Sequence, residues 1–389
     1  MRRIRALAAS PNDLIRAAAV LTLWIALHLY AARPLLVAAA AGGIAPLVAW
    51  TVVLTMPFVS MLPLLARRSF AHWIGYATMS LFSILLVLVA TSDLIRLSLR
   101  IVSATVSGRT MSFVTLATAA VLTFVGFLQA RRPRVVSLQI PVAEADLHGY
   151  RIVQWSDVHI GPTIQRCFVE SLVRRTNELN ADAIVITGDL IDGHVDDLRD
   201  AIAPLGDLRA RDGVFVVTGN HEYYWRANEW VKEFARLGMT FLKNEHRVVR
   251  DGLVIAGVTD PAGRDAHKSD LIAALAGAPG DAFRILLAHR PQVAQAASHN
   301  GVNLQLSGHT HGGQFFPFNL LIRWFQPVVA GLHRIGDTLL YVSRGTGYWG
   351  PPMRLGAPAE ITQLVLTCGN EGVADARADA GGGSASKPT

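Results

Sequence analysis

The sequence contains little cysteine and little charge. Of its 389 residues, only two are cysteine and 17% are charged. One possible pair, Cys167 with Cys368, makes no disulfide framework, and neither residue stands in a CxxC-type zinc spacing. With 51% hydrophobic residues and a mean hydropathy of +0.34, the chain is neither disordered nor typical of a soluble protein.

Acidic residues are almost absent from the first third of the chain. Residues 1–134 hold 13 arginines but only two carboxylates, Asp13 and Asp93, for a net charge of +11, whereas the remainder carries −4. The basic excess lies beside apolar segments, where it directs membrane topology. The pI of about 9.8 therefore does not indicate a nucleic-acid partner, and we expect none.

Long apolar runs are confined to this basic part, which we interpret as a membrane domain (1–134). Four runs, at roughly 14–33, 43–65, 73–92 and 110–129, approach the length of about 20 residues that a spanning helix needs. Four spans are favoured over three. The first run has an alternative reading as a signal peptide, but Tyr30 or Leu29 fits a cleavage site poorly.

Arginine placement predicts the orientation. In a four-span topology, nine arginines lie on one side and four on the other, which places both chain ends in the cytoplasm of a multi-pass inner (cell) membrane protein. One span fewer, or cleavage of the first, would move the rest of the chain outside. We expect the helices to act as an anchor, with transport as the alternative.

The pattern changes after a linker at 135–147. Within 148–368, apolar strand-like runs alternate with helical stretches at 166–180, 226–238 and 269–276, which predicts an α/β domain. The predicted strands are 150–156, 183–187, 214–218, 253–258, 283–288, 303–307, 338–343 and 361–366. Residues 369–389 contain too little apolar sequence to order themselves, and we expect a disordered tail.

Residues typical of metal ligands follow five of these strands. They are Asp157 and His159; Asp189; Asn220, His221 and Glu222; His289; and His309 and His311. Because the carboxyl ends of parallel strands share one edge of a sheet, we expect these side chains to cluster. Any one of these residues alone would be interpreted as a turn or helix-cap residue. Their occurrence together, after five successive strands, indicates a functional site. Asp192 lies close by and is expected to support it.

The chemistry of the set points to metal ions. Imidazole, carboxylate and amide oxygen suit divalent metals of intermediate to hard character, and the number of candidate ligands exceeds what one ion requires. The sequence therefore predicts two metal ions.

These blocks resemble the calcineurin-like metallophosphoesterase superfamily. The pattern Asp-x-His, Gly-Asp, Gly-Asn-His-Glu, His and Gly-His-x-His is present in order, and the match covers about 148–367. The segments at 219–224, 286–291, 308–314 and 343–347 are similar to the corresponding motifs of the bacterial membrane-associated branch of this superfamily. Relatives of that branch include UDP-diacylglucosamine pyrophosphatases.

The resemblance implies a four-layer α/β/β/α sandwich with a dinuclear site. It implies that Asp157, His159 and His311 bind one ion, that Asn220, His289 and His309 bind the other, and that Asp189 bridges both. The resemblance also implies manganese, iron, zinc or similar ions, and the ligand chemistry does not choose among them.

Hydrolysis is expected to use a hydroxide that bridges the two metals. His221 is not needed as a ligand, which leaves it free to protonate the leaving oxygen or to steady phosphoryl charge, with Glu222 or Asp192 orienting it. Arg290, Arg344 and Arg354 are candidates for holding a second phosphate or a carboxylate, with structural salt bridges as an equal alternative.

An aromatic stretch at 315–325 has two interpretations. It is either core beneath the second sheet, or it lines an acyl-chain groove or enters the membrane interface.

We expect a membrane-anchored phosphoesterase that cleaves a phosphodiester or pyrophosphate bond, with a lipid-linked substrate as one option. The alternatives are a phosphomonoesterase or nucleotide phosphodiesterase merely localised by its helices, and a membrane sensor or transporter with a phospholigand-binding domain. Oligomeric state is not predicted.

Overall fold

A computed structural model of the chain describes residues 11–65, 69–264 and 267–368. The chain divides into two compact units. The membrane unit comprises Met1–Leu128 and Gly350–Leu355, and the catalytic-domain unit comprises Gln129–Trp349 and Gly356–Thr389. The predicted tail at 369–389 lies outside the described residues.

The membrane unit is helical throughout its apolar runs. Its helices are α1 (Pro11–Ala41), α2 (Pro46–Val59), α3 (Leu62–Leu65), α4 (Ser69–Ile101) and α5 (Gly108–Arg131). Within the described part of the chain, α1, α4 and α5 are long and apolar enough to cross a membrane. The run expected at 43–65 forms α2 and α3 instead of one helix, with Pro57 and Pro63 inside the two short pieces.

Helices α1 and α4 run parallel. Trp24 packs near Phe82, with 5.3 Å between ring centroids, and further along both helices Arg33 pairs with Asp93 at 2.6 Å. Because α1 and α4 run in the same direction, the chain must cross back from the end of α1 to the start of α4. Helices α2 and α3 make this return.

Helix α5 runs antiparallel to α4. Trp73 near the start of α4 lies 6.2 Å from Phe127 near the end of α5, measured between ring centroids. At the other end of the pair, the Arg96 side chain lies over Gly108. The start of α1 and the end of α5 therefore lie at the same end of the membrane unit.

The catalytic-domain unit contains two six-stranded sheets. The first has the order β1-β12-β2-β3-β4-β5 and the second β10-β11-β9-β8-β7-β6. The strands of the first sheet are β1 (Arg134–Val142), β2 (Arg151–Trp155), β3 (Ala183–Ile186), β4 (Val214–Val216), β5 (Thr240–Phe241) and β12 (Glu360–Cys368). Those of the second are β6 (Glu245–Arg250), β7 (Leu253–Gly257), β8 (Phe283–Leu287), β9 (Leu304–Ser307), β10 (Gly331–Ile335) and β11 (Thr338–Val342).

The described part of this unit also contains seven α-helices. They are α6 (Arg166–Asn177), α7 (Val195–Ile202), α8 (Asn220–Tyr224), α9 (Ala227–Arg236), α10 (Leu271–Leu275), α11 (Ala294–Ser298) and α12 (Phe318–Leu321). Ile152 and Val185 belong to an apolar layer shared with the second sheet, whereas their neighbours Val153 and Ile184 pack with α6, α7 and α9. The outer face of the second sheet packs against α10 and α11. This alternation produces the expected four-layer α/β/β/α sandwich.

Each predicted strand overlaps an observed one, and the three predicted helices are α6, α9 and α10. Residues 135–147 differ from the expected linker, because most of them form β1, which pairs in parallel with β12 over nine residues. Strands β5, β6 and β10 were also not predicted.

The aromatic stretch at 315–325 is not core. Of its large apolar side chains, Ile322 is buried, but Trp324 and Phe325 are 80% and 70% exposed. The core reading of this stretch is therefore wrong.

Candidate metal centre

Five loops at the carboxyl ends of strands supply the candidate ligands. Asp157 follows β2, Asp189 follows β3 and Asn220 follows β4, while His289 and His309 follow β8 and β9 of the second sheet. These strands are parallel within each sheet. The predicted clustering at the strand ends is observed, and it draws on both sheets.

The chain turns sharply at the ligands. Asp157, His159, Asp189, His309 and His311 all have φ between 52° and 71°. This left-handed region is uncommon for residues with a side chain, and such strain concentrates at functional sites. The backbone is bent here so that the polar side chains point into one space.

Two glycines permit the close approach of these loops. A Cβ atom at Gly219 would overlap the carboxylate of Asp189, and one at Gly308 would overlap Asp157 Oδ2 and Ser156 Oγ. Only glycine leaves room for the carboxylates at these positions.

One cluster that could hold a metal ion consists of Asp157, His159 and His311. His311 Nε2 lies 3.2 Å from Asp157 Oδ1 and 3.1 Å from His159 Nε2. Asp157 is fully buried; burial alone would raise its pKa, but the charge of His311 holds that pKa well below the usual range. A buried carboxylate in its ionised form is suited to a cation.

A second cluster consists of Asp189, His289 and His309. His289 Nε2 lies 3.2 Å from Asp189 Oδ2 and 3.2 Å from His309 Nδ1. The other ring nitrogen of His289 is 2.8 Å from the carbonyl oxygen of Thr187. A backbone partner of this kind fixes the orientation of a ligating imidazole.

Asp189 belongs to the second cluster and also faces the first. Its Oδ2 atom is 3.2 Å from His289 Nε2 and 3.9 Å from His159 Nε2. Its other oxygen, Oδ1, accepts a hydrogen bond from the backbone N–H of His221 at 2.8 Å. One oxygen therefore faces both clusters while the other fixes the carboxylate.

The side-chain oxygen of Asn220 indicates that the site suits a metal ion. Its Oδ1 atom is buried and has no hydrogen-bond partner among the described residues. A buried acceptor without a donor is costly, and a divalent cation would satisfy it. With the imidazole and carboxylate atoms around it, this oxygen fits the chemistry of divalent metals.

His221 is held by Asp192. Its Nδ1 atom is hydrogen-bonded to Asp192 Oδ1, and Asp192 Oδ2 lies 3.2 Å from His159 Nδ1. Burial lowers the pKa of His221, but the hydrogen bond to Asp192 and the charge of Asp189 outweigh it and raise that pKa to about 9. His221 Nε2 lies 3.9 Å from Asp189 Oδ2, so the ring reaches the metal-ligating region.

Glu222 was one of two carboxylates considered for orienting His221, but its side chain binds backbone N–H groups instead. It is fully buried, and its carboxylate accepts backbone hydrogen bonds from Gly219, Leu190 and Asp189 at 2.7, 2.8 and 3.1 Å. Burial and the charge of Asp189 raise its pKa to about 7. Of the two expected partners of His221, Asp192 makes the hydrogen bond, whereas Glu222 ties the Gly-Asp loop to the Gly-Asn-His loop.

The three candidate substrate arginines have structural surroundings. Arg290 forms a two-pronged ion pair with Asp260 at 2.8 and 3.1 Å, and Arg344 lies 3.2 Å from Glu360. Arg354 is fully buried and belongs to the membrane unit. None of the three lines the cavity at the metal site.

This cavity has a volume of about 490 Å³. It is lined by Asp189, Asp192, Asn220, His221, Tyr224, Trp225, His309, His311 and Trp349. The aromatic residues were not predicted as part of the site. Tyr224 and Trp225 come two and three residues after Glu222 in the Gly-Asn-His-Glu block, and Trp349 comes two residues after the 343–347 block, so each lies beside a motif that could have signalled it.

Comparisons with known proteins agree with this geometry. Residues 150–313 match the family "Calcineurin-like phosphoesterase". A transmembrane protein with metallophosphoesterase domain from Bos taurus is 42% identical over 266 residues, which cover 63% of this chain and 60% of the relative. A metallophosphoesterase from Aquifex aeolicus is 33% identical over 221 residues, which cover 56% of this chain and 84% of the relative.

Among solved structures, a 5'-nucleotidase precursor from Thermus thermophilus aligns with a TM-score of 0.34 and 14% identity, covering 56% of this chain and 54% of that chain. The chain spans about 60% of the length of the Bos taurus relative.

Proposed function

The chain belongs to the calcineurin-like metallophosphoesterases, and from this premise we propose that it hydrolyses a phosphodiester or pyrophosphate bond of a lipid-linked substrate at a dinuclear metal centre. The proposal rests on seven candidate metal-ligand side chains that converge from the strand ends of two sheets beside one cavity, one of which, Asn220, has a buried Oδ1 without a hydrogen-bond partner among the described residues.

The two clusters support two ions. Asp157, His159 and His311 would hold one, while His289, His309 and Asn220 would hold the other, and Asp189 Oδ2 would bridge them because it faces both clusters. When bound, two such divalent ions lower the pKa of a water and neutralise phosphoryl charge. Manganese, iron and zinc all suit these ligands.

His221 would protonate the leaving oxygen. Asp192 holds Nδ1, which leaves Nε2 available on the side of the cavity. A histidine positioned in this way by a carboxylate is suited to general acid catalysis. Asp192 would act through His221 and His159, both of which its carboxylate contacts.

The cavity favours a substrate with one negative charge on the attacked phosphate. Among the described residues that line it there is no lysine or arginine. A monoester dianion would place two negative charges on the attacked phosphate with no guanidinium or ammonium partner. A diester places one charge there, and so does a disubstituted pyrophosphate, whose second charge lies on the neighbouring phosphate. The aromatic side chains of Tyr224, Trp225 and Trp349 keep a second candidate open, a nucleotide phosphodiesterase, since planar rings bind a nucleobase by stacking.

The membrane unit supports a multi-pass anchor. Because α1 and α4 are parallel, α2 and α3 make a return pass, and a four-pass topology in the inner (cell) membrane places both ends of the unit on one side. The arginine distribution assigns that side to the cytoplasm. The catalytic domain would then be cytoplasmic.

A substrate panel tests the proposal. The purified full chain, loaded with manganese, would be assayed on bis-nitrophenyl phosphate, on a nitrophenyl monoester and on a UDP-linked lipid. We expect turnover of the diester and the lipid, with the monoester the poorest substrate. Preference for the monoester would overturn the proposed bond type, and no turnover of any compound by the metal-loaded protein would favour a sensor or transporter.

A further inference from the structure

An exposed apolar patch lies next to the metal centre. It consists of Phe318, Leu320, Leu321, Trp324 and Phe325, whose exposed fractions are 42%, 61%, 38%, 80% and 70%. These five side chains stand on α12 and the following 3₁₀ turn, within eight residues of sequence. Scattered exposed apolar residues are ordinary, but a contiguous group indicates a binding surface.

The patch is pinned to the loop that carries a metal ligand. A Cβ atom at Gly313 would overlap the backbone of Asn319, and the side chain of Ile322 packs against the same position. Gly313 lies two residues after His311. The inward side of the segment is thus anchored beside the metal centre, and the five large apolar side chains are left on the outward side.

The charge around the patch suits a lipid surface. Between 315 and 336 the sequence contains no Asp or Glu, whereas Arg323 lies within the patch and Arg334 follows it. Arg323 is exposed. Tryptophan and phenylalanine with a basic residue and no carboxylate match the interface of a bilayer with anionic headgroups.

We propose that this patch inserts into the headgroup region of the membrane, as a second attachment of the catalytic domain in addition to the N-terminal helices. The insertion itself does not depend on any enzymatic activity. Its consequence does rest on the proposed function: a metal centre held at the bilayer surface would receive phosphoesters of membrane lipids.

Depth-dependent fluorescence tests the insertion. In the full chain with Cys167→Ser and Cys368→Ser, Leu320→Cys would carry an environment-sensitive dye in nanodiscs of phosphatidylcholine and phosphatidylglycerol. Ile272→Cys on α10 is the matched control, because Ile272 is 66% exposed and Leu320 is 61% exposed. We expect a blue-shifted dye that doxyl lipids quench at position 320 only. A water-exposed signal at 320 would overturn the proposal, and it is also the result expected if the patch binds another protein.

A kinetic measurement tests the consequence. Leu320→Ser with Trp324→Ser is compared with Ile272→Ser, after circular dichroism has shown that all are folded. We expect the ratio of kcat/KM for a lipid phosphodiester in nanodiscs to that for bis-nitrophenyl phosphate to fall at least about fivefold in the patch variant alone. An unchanged ratio would refute the substrate role. If the wild-type chain hydrolysed neither substrate, the proposed function would be refuted, but the fluorescence test of membrane insertion would still be valid.

Discussion

Glu222 connects the two loops on which the metal centre depends. Its carboxylate accepts three backbone N–H groups and is fully buried. In Glu222→Gln, an amide NH₂ would face a backbone donor, so we expect a loss of about 1–3 kcal/mol in the free energy of unfolding. Urea titration followed by tryptophan fluorescence measures it.

The control is Glu229→Gln, since Glu229 lies on the surface in an ion pair with Arg226. It is expected to change stability by no more than about 0.5 kcal/mol. Equal effects of the two substitutions would contradict the structural role of Glu222.

His221 is predicted to act as a general acid. His221→Ala should lower kcat/KM by about 10²–10⁴-fold on an ester with an alkoxide leaving group, and by much less on bis-nitrophenyl phosphate. A nitrophenolate leaves without a proton, whereas an alkoxide does not. Equal losses on both substrates would argue against the acid role.

Asp189 is predicted to bridge the two ions. Asp189→Ala should weaken metal binding by more than about tenfold, which mass spectrometry of metal content after dialysis would show. Asp196→Asn is the matched control, because its carboxylate is 96% exposed on α7. Normal metal content and turnover in Asp189→Ala would refute the dinuclear centre.

At the scale of elements, β1 joins the polypeptide leaving α5 to the sandwich. It pairs with β12 over nine residues, and Ile140 is fully buried in the layer between the sheets. Ile140→Ala should cost about 2–5 kcal/mol of stability, measured by the urea midpoint of the full chain in detergent.

Val135→Ala in the same strand provides the comparison, since Val135 is 40% exposed. We expect a change of about 0.5 kcal/mol. Similar costs at positions 135 and 140 would show that β1 does not contribute to the core.

The elements that could be predicted from sequence are those with a strong local pattern. Strands such as β3 and β8 are short apolar runs bounded by turn residues, and α9 has clear helical spacing. By contrast, β5 has only two residues and pairs with β4, which lies far back in the sequence, so no local window contains its partner. β10 was missed for another reason: its partner β11 follows after only Gly336 and Asp337, but the sequence of β10 alternates weakly and carries His333 and Arg334.

For the whole molecule, the topology predicts opposite exposure of two sites. Cys368 lies in the catalytic-domain unit and is exposed. Residues 102–107 connect α4 to α5 at the end of the membrane unit opposite the start of α1. In intact spheroplasts, an impermeant maleimide should leave Cys368 unlabelled in a Cys167→Ser background. Thr105→Cys, in a chain without Cys167 and Cys368, should be labelled. Labelling of Cys368 in intact cells would contradict the cytoplasmic placement.

From the sequence alone came the candidate ligand residues and the division into an apolar helical part and an α/β part. These features are local: ligand-type residues come immediately after apolar strands, and the apolar runs have the length of a membrane span. They can therefore be recognised in the sequence without knowledge of the fold. The carboxylate that holds His221 follows from the packing of the loops, because Glu222 is adjacent to His221 in sequence but turns away to bind backbone N–H groups, whereas Asp192 is distant in sequence and reaches the imidazole only in the folded chain. The tertiary structure also showed that Phe318, Leu320, Leu321, Trp324 and Phe325 are exposed, since a short apolar stretch has the same composition in a core as on a surface.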